Sequence, residues 1–245
     1  IIFNIFAKFI PSYIICDGAF IQKSLGKNNK NKSIVILNGI KTETFIRNKE
    51  FRFKIRHELK IPVDGYVIGH VSRMTPWKGQ THLLKAFLNY STQNPNAYLL
   101  LIGAPLFDND YYYNSLIKIL ESYSIAHRVI MPGYRYDLQA MYSAMDLFLY
   151  PSLEKDTSPL TLISAISSGL PVGVSNIASL TEIVDKCSQI DTFNPTKSDE
   201  MSAIMKKYEN DEIRKKSGML NREAGIKYFD ISIHGQKMQQ IIDLV

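Results

Sequence analysis

From residue 66 onward, short apolar runs alternate with longer segments whose apolar positions recur at helical spacing, the arrangement of a parallel sheet covered by helices. YVIGHV at 66–71 reads as a first buried strand. In GQTHLLKAFLNYS, Leu83, Leu84, Phe87 and Leu88 share one helical face, and Asn94-Pro95 stops that helix before AYLLLIG supplies a second strand. YYYNSLIKILESYS predicts a helix leading to RVIMPG, a third strand ended by Pro132-Gly133; DLQAMYSAM predicts another, leading to DLFLYPS, a fourth strand ended by Pro151-Ser152. LTLISAISSG is a short helix stopped by Gly169, and LPVGVSN is the next strand. Further helices are expected at SLTEIVD and over 198–208, 211–228 and 233–244. The fold class is therefore α/β, a doubly wound parallel sheet, and ligands are expected at the carboxyl ends of its strands, in the loops after residues 71, 103, 133, 151 and 175.

Residues 1–45 do not fit the start of this domain. Ser33 to Asn38 reads as a further strand closing on Asn38-Gly39, and residues 46–62 as a linker helix, so the chain ahead of it reads as part of another domain. The opening IIFNIFAKFIPSYIIC is interrupted by Asn4, Lys8 and Pro11 and falls short of the ~20 apolar residues a membrane-spanning helix needs. It lacks the basic start and small-residue cleavage site of a secretory signal. It reads as a strand preceded by the end of a helix, and without an initiating Met the chain is expected to start in mid-protein.

An apolar share of 45% with 21% charged residues is ordinary for one globular domain, and no fixed-period repeat or low-complexity tract points to a solenoid or a disordered chain. The formal net charge of +6 is local: residues 23–60 hold 11 basic and 3 acidic side chains, so the remainder is about −2. General nucleic-acid binding is thereby poorly supported. Peripheral contact of residues 23–60 with an anionic membrane fits, as does a solvated linker with scattered charges. Cys16 and Cys187 stand far apart with no CxxC pair, and none of His57, His70, His82, His127 and His234 has metal-ligand spacing, so neither a disulfide framework nor a zinc site is expected. Reduced cytoplasm is the default location.

Two stretches carry candidate chemistry. In SRMTPWKGQ, Arg73 and Lys78 follow a buried strand and Gly79 opens the next helix; two cations at a helix start suit a diphosphate, and a solvated loop is the alternative. In PSLEKDTSPLTLISAISSGLPVG, an acidic loop runs into a helix whose first turn holds Thr157, Ser158 and Pro159, where a Ser or Thr cap and exposed amides would face an anion. Asp156 sits where a carboxylate would accept sugar hydroxyls, or serves as an N-terminal helix charge. After strand 66–71 there is no GxGxxG, which argues against a dinucleotide-dependent oxidoreductase.

The ordered set NGI, SRMTPWKG, NPNAYLLLIG, VIMPGYRYDLQAMYSAMDLFLYPS, the acidic loop and SSGLPV resembles glycosyltransferase family 4, from residue 12 to about 245. The resemblance implies a GT-B fold. Residues 63–228 would be its Rossmann-like donor-binding domain, 229–245 a helix crossing back, and 1–45 the end of an incomplete acceptor-side domain. It implies retaining transfer of a sugar from a nucleoside diphosphate sugar to a glycan or lipid-linked acceptor, in surface polysaccharide synthesis at the inner face of the membrane. By the same resemblance Arg73 and Lys78 hold the donor diphosphate, Gly133 and Tyr134 contact the base, Thr157, Ser158 and Pro159 face the diphosphate, and Leu160 lines the nucleoside pocket. The family's two Glu, separated by seven residues, fall on Asp156, facing the transferred sugar, and on Ser164, facing the ribose without a charge. No metal or cofactor is expected, because two cations and helix amides take the metal's place. A nucleotide-sugar-binding module without activity and a GT-B epimerase stay open. Glu182 matches a recurrent family acid, with capping or an ion pair as its other readings.

Overall fold

The computed structural model describes residues 12–105, 110–154 and 156–244. The helix end expected near the start of the chain lies outside these residues. Ahead of the main sheet, β1 (Ile14–Cys16) pairs in parallel with β2 (Ser33–Val35) across the short helices α1 (Ala19–Ser24) and α2 (Lys27–Lys30). α3 (Lys49–Glu58) follows, its first turn capped by the Asn48 side chain on the amides of Glu50 and Phe51. A linker helix was expected here, and this one is tied to the main sheet. Arg56, fully buried, donates to the carbonyls of Ala144, Val63 and Gly65 and pairs with Asp146 at 2.7 Å, while Arg52 takes the other carboxylate oxygen at 2.8 Å. Ile55 enters the core.

The main sheet is built from β3 (Tyr66–Val71), α4 (Gln80–Ser91), β4 (Ala97–Ile102), α5 (Tyr111–Glu121), β5 (Val129–Ile130), α6 (Leu138–Ala144), β6 (Leu147–Tyr150), α7 (Leu160–Ser167), β7 (Val172–Ser175), α8 (Thr181–Val184) and β8 (Ile190–Phe193). α9 (Ser198–Lys207), α10 (Asp211–Phe229) and α11 (Ile231–Ile242) complete the chain. The six strands are all parallel in the order β5-β4-β3-β6-β7-β8. Strand alternation sends Val67, Leu100, Phe148 and Val172 into one core with α3, α6, α7 and α10, and Ile68, Leu99 and Leu147 into a second with α4, α5 and α9. β8 escapes a sequence pattern search because in IDTF only Phe193 is buried; it is an edge strand with one face in solvent. The two C-terminal helices part at Asp230, whose carboxylate accepts from the Ser232 amide and from Thr42.

The order reverses between β3 and β6, so their following loops diverge and leave a crevice at the carboxyl edge. Beneath it lies His70, fully buried: Nδ1 meets the Leu149 carbonyl at 2.9 Å and Nε2 the Ser72 hydroxyl at 2.7 Å. The Gln80 amide donates to that hydroxyl at 2.8 Å and to the Arg73 carbonyl at 2.7 Å, tying the loop to α4. With Nδ1–H given to the carbonyl, neutral His70 offers Nε2 as acceptor, and burial pushes its ordinary value near 6.5 down to about 4. The unfolded chain takes this proton below about 6.5 and the folded chain only near 4, so stability is full above that window and falls as pH drops through it. The loss should reach roughly 3 kcal/mol at its lower end. Urea midpoints from pH 7.5 to 4.5 should fall more steeply for the wild type than for His70→Gln; parallel slopes would contradict the assignment.

Candidate active site

The loop after β3 turns through a short 3-10 segment, Pro76–Lys78, before Gly79 opens α4 at φ +76°. A Cβ on Gly79 would stand 1.9 Å from the Pro151 carbonyl oxygen, so glycine alone lets this loop lie against the one after β6. Gly103 does the same one strand away, where a Cβ would stand 1.8 Å from the Ser72 carbonyl oxygen. Close backbone approach at both points brings the candidate residues together.

Lys78, only 7% exposed, points inward. Its Nζ lies 2.5 Å from Asp156 Oδ2 and 2.7 Å from the Tyr150 hydroxyl, and that hydroxyl donates to the same Oδ2 at 2.6 Å. Ser152 adds a third donor to Oδ2 at 3.1 Å, and the Asp156 amide donates to Ser179 Oγ at 3.0 Å. Oδ1 has no hydrogen-bond partner among the described residues, so one carboxylate oxygen is anchored and the other is unengaged. Burial pulls the Lys78 ammonium down from its ordinary value while the Asp156 carboxylate opposes that shift. Arg73 stays exposed. Its guanidinium carbon lies 5.7 Å from the centre of the Trp77 ring, on which the Lys78 ammonium also rests at 4.2 Å.

Arg73 lines a largely apolar cavity of about 380 Å³ with Gly103, Pro105, Tyr134, Leu138 and Thr161. Its floor is the carboxyl ends of β3 and β4, and Thr161 belongs to the first turn of α7. The amides of Leu160, Thr161 and Leu162 in that turn reach no acceptor among the described residues. Gly133, at φ +78°, accepts from the Gly103 amide at 3.0 Å, and Tyr134 is 64% exposed at the cavity edge, packed edge-on against Tyr136 with centroids 4.8 Å apart. A larger cavity of about 790 Å³ lies across the acidic loop, between α1 and residues 178–186, and Ser179 and Glu182 line it. Glu182 accepts the Ala19 amide there at 2.8 Å.

Several residues sit otherwise than their sequence context suggests. Pro159 itself occupies the cap position of α7 and no side chain caps it, because Thr157 and Ser158 turn away: the Thr157 hydroxyl donates to Asp17 at 2.9 Å and Ser158 bonds Asn38. Leu160 is 52% exposed and does not line the Arg73 cavity; Thr161 does. Ser164 is buried, and the nearby Tyr142 hydroxyl donates to the Thr161 carbonyl at 2.9 Å. Tyr150, Ser152 and Ser179 were not singled out, although Tyr150 and Ser152 flank the proline that ends β6, where a parallel sheet presents side chains to a ligand. Among the described residues no three His, Cys, Asp or Glu side chains group as a metal ion would require.

The profile of the family described as "Glycosyl transferases group 1" matches residues 51–225, most of the chain and all of the crevice. The chain belongs to the group 1 glycosyl transferases. Among its relatives the Escherichia coli O-antigen biosynthesis glycosyltransferase WclY is 27% identical over 166 residues, covering 67% of this chain and 44% of that protein. The Escherichia coli UDP-Gal:alpha-D-GlcNAc-diphosphoundecaprenol alpha-1,3-galactosyltransferase is 30% identical over 152 residues, covering 60% of this chain and 37% of that enzyme. The chain thus spans less than half the length of these curated relatives. In fold it is similar to the Anabaena protein HepE solved with UDP-glucose, at a TM-score of 0.90 and 22% identity, over 100% of this chain and 67% of that one. This group 1 domain therefore shares a fold with a protein solved with UDP-glucose, and its crevice holds Arg73 and Lys78.

Proposed function

We propose that the chain is the donor-binding part of a retaining family 4 glycosyltransferase, which moves a sugar from a uridine diphosphate sugar to a glycan or lipid-linked acceptor. The observation that carries this reading is the cavity shared by Arg73 and the first turn of α7, with the Lys78–Asp156 pair beside it across Trp77. The names of two relatives or neighbours, one a UDP-Gal-dependent transferase and the other bound to UDP-glucose, support the choice of base. The apolar cavity takes the base, with Tyr134 at its edge and Gly133 shaping the loop. Arg73 and the free amides of α7 take the diphosphate, as in other anion sites at helix starts. Asp156 Oδ1 accepts a hydroxyl of the transferred sugar while Oδ2 stays fixed.

In the reaction the bond between the anomeric carbon and the diphosphate breaks, one to the acceptor oxygen forms, and the acceptor's proton passes to the departing diphosphate. Charge then develops on the diphosphate. Arg73 and Lys78 stabilise it without a metal ion, Lys78 by exchanging its Asp156 partner for a phosphate oxygen. The buried Ser164 supplies no charge to the ribose, which favours weak donor affinity. The relatives' names support an acceptor carried on a polyprenyl diphosphate and a role in surface polysaccharide synthesis. Lys23, Lys27, Lys30 and Lys41 are exposed, as peripheral contact with the cytoplasmic face of a membrane needs, and no described helix is long and apolar enough to cross one.

Thermal shift with a nucleoside diphosphate panel tests the reading. UDP at 100 times its Kd should stabilise by about 2.7 kcal/mol. ADP and GDP should do less, and Arg73→Ala should weaken UDP by about tenfold or more, the cost of losing a charge-assisted contact. Equal shifts from every nucleotide, or a variant that binds UDP as the wild type does, would overturn it.

A further inference from the structure

Asn38, in the Asn38-Gly39-Ile40 triplet far ahead of the acidic loop, is joined to that loop by two hydrogen bonds. Its side-chain amide donates to the Ser158 carbonyl at 2.9 Å and its backbone amide to Ser158 Oγ at 2.7 Å. Ser158 is 2% exposed and has φ +45°; among the described non-glycine residues only Lys60 shares a positive φ, and Lys60 follows the end of α3, where a left-handed residue is usual. No such convention covers Ser158. It precedes a proline, and a residue in that position is driven to extended backbone by the following ring. The left-handed conformation there opposes both its own Cβ and Pro159, a cost that something must offset.

Asn38 is itself immobilised from behind. A Cβ on Gly39 would meet Ile231 Cα at 3.0 Å and the Asp230 carbonyl oxygen at 3.1 Å, so this backbone lies directly on the turn between α10 and α11. The Ile40 amide donates to Phe229 O and the Ile231 amide to Ile40 O, at 2.9 and 2.8 Å. The Leu37 carbonyl meets His234 Nδ1 at 2.9 Å. Two residues upstream of Ser158 is Asp156, and two residues downstream α7 begins, with its free amides.

We infer that Asn38 is a positioning residue for the donor site: it holds Ser158 left-handed and thereby fixes both the Asp156 carboxylate and the first turn of α7. The inference rests on the donor reading given above for its effect on binding, and on geometry alone for its effect on the loop. Asn38→Ala removes the bond to the Ser158 carbonyl and leaves only the backbone-amide bond to Ser158 Oγ against the strain, so the loop relaxes toward extended backbone. Ser158→Gly removes the strain, because glycine accepts this φ at little cost. The clamp then becomes dispensable.

The experiment is hydrogen–deuterium exchange of peptides spanning 153–163 together with UDP affinity by calorimetry, on the full chain. Asn38→Ala should speed exchange of the Asp156 and Ile163 amides, which donate to Ser179 Oγ and to the Pro159 carbonyl, by about tenfold. UDP affinity should fall about fivefold, the effect of one lost neutral hydrogen bond. Adding Ser158→Gly should return both to within about twofold of Ser158→Gly alone. Ser158→Ala, which keeps the strain and loses the Oγ acceptor, supplies an independent variant should Asn38→Ala not fold, and it should move both readings in the same direction. Wild-type exchange and affinity in Asn38→Ala, or no recovery with Ser158→Gly, overturns the inference. Absence of UDP binding by the wild type sinks the donor reading instead, while the exchange arm still decides whether Asn38 fixes the loop.

Discussion

Lys78→Met should both destabilise the protein and abolish the proposed sugar transfer. Among the described residues the ammonium is the one cation bonded to Asp156 Oδ2, whose other partners are the Tyr150 and Ser152 hydroxyls. Removing one member of a buried ion pair leaves an uncompensated charge and costs ~3–5 kcal/mol. For a domain of this size that is a melting-temperature loss of roughly 10 °C. The proposed sugar transfer should fall by about a thousandfold, the loss expected when a donor aimed at developing negative charge is deleted. Asp156→Asn separates the two effects, since the amide keeps the shape and relieves the unpaired charge. In a double-mutant cycle Lys78→Met with Asp156→Asn should be destabilised by less than the sum of the single changes, by at least ~1 kcal/mol. Additive urea-denaturation losses would mean that the pair contributes nothing to folding, and undiminished transfer by Lys78→Met would remove Lys78 from the chemistry.

Gly79→Ala, like Gly103→Ala, is expected to be among the most damaging single-methyl changes in the domain. At φ +76° a Cβ is unfavourable in itself, and here it would stand 1.9 Å from Pro151 O, a backbone atom with nowhere to retreat in the centre of the sheet. Relief requires prising the loop after β3 from the loop after β6, which parts Lys78 from Asp156. The loss should be at least ~4 kcal/mol, in the range reserved for core disruption. Gly133→Ala is the internal control: its φ is +78° but nothing lies within 4 Å of the added Cβ, so only the left-handed preference of about 1–2 kcal/mol is lost. Urea denaturation of the two variants checks the contrast; equal losses would show that φ alone, and not the contact between loops, makes Gly79 necessary.

Much of this architecture was legible because each element of the main sheet buries its apolar positions at its own period. Leu83, Leu84, Phe87 and Leu88 fall on one helical face and are all buried, and AYLLLI is buried along nearly its whole length. β8 was not legible because an edge strand needs only one buried residue to pair, and Phe193 supplies it. The site was readable as a set of loops, since strand ends in a parallel sheet announce themselves by Pro and Gly. Which side chains turn inward was not. Whether Thr157 and Ser158 cap α7 or bond to Asp17 and Asn38 depends on contacts with residues 120 or more positions away, which no local spacing encodes. Ser164 likewise sits in a helix whose buried face is set by Tyr142 on the neighbouring α6.

The pairing of Lys78 with Asp156 has a further consequence for how an anion would reach this crevice. The ammonium's field is cancelled at contact distance by a carboxylate, so among the described cations of the crevice Arg73 is the one that projects positive potential toward solvent. Long-range steering of a diphosphate is therefore weak, and its arrival depends little on ionic strength. The second cation enters play only after encounter, as a local response to a ligand already in place.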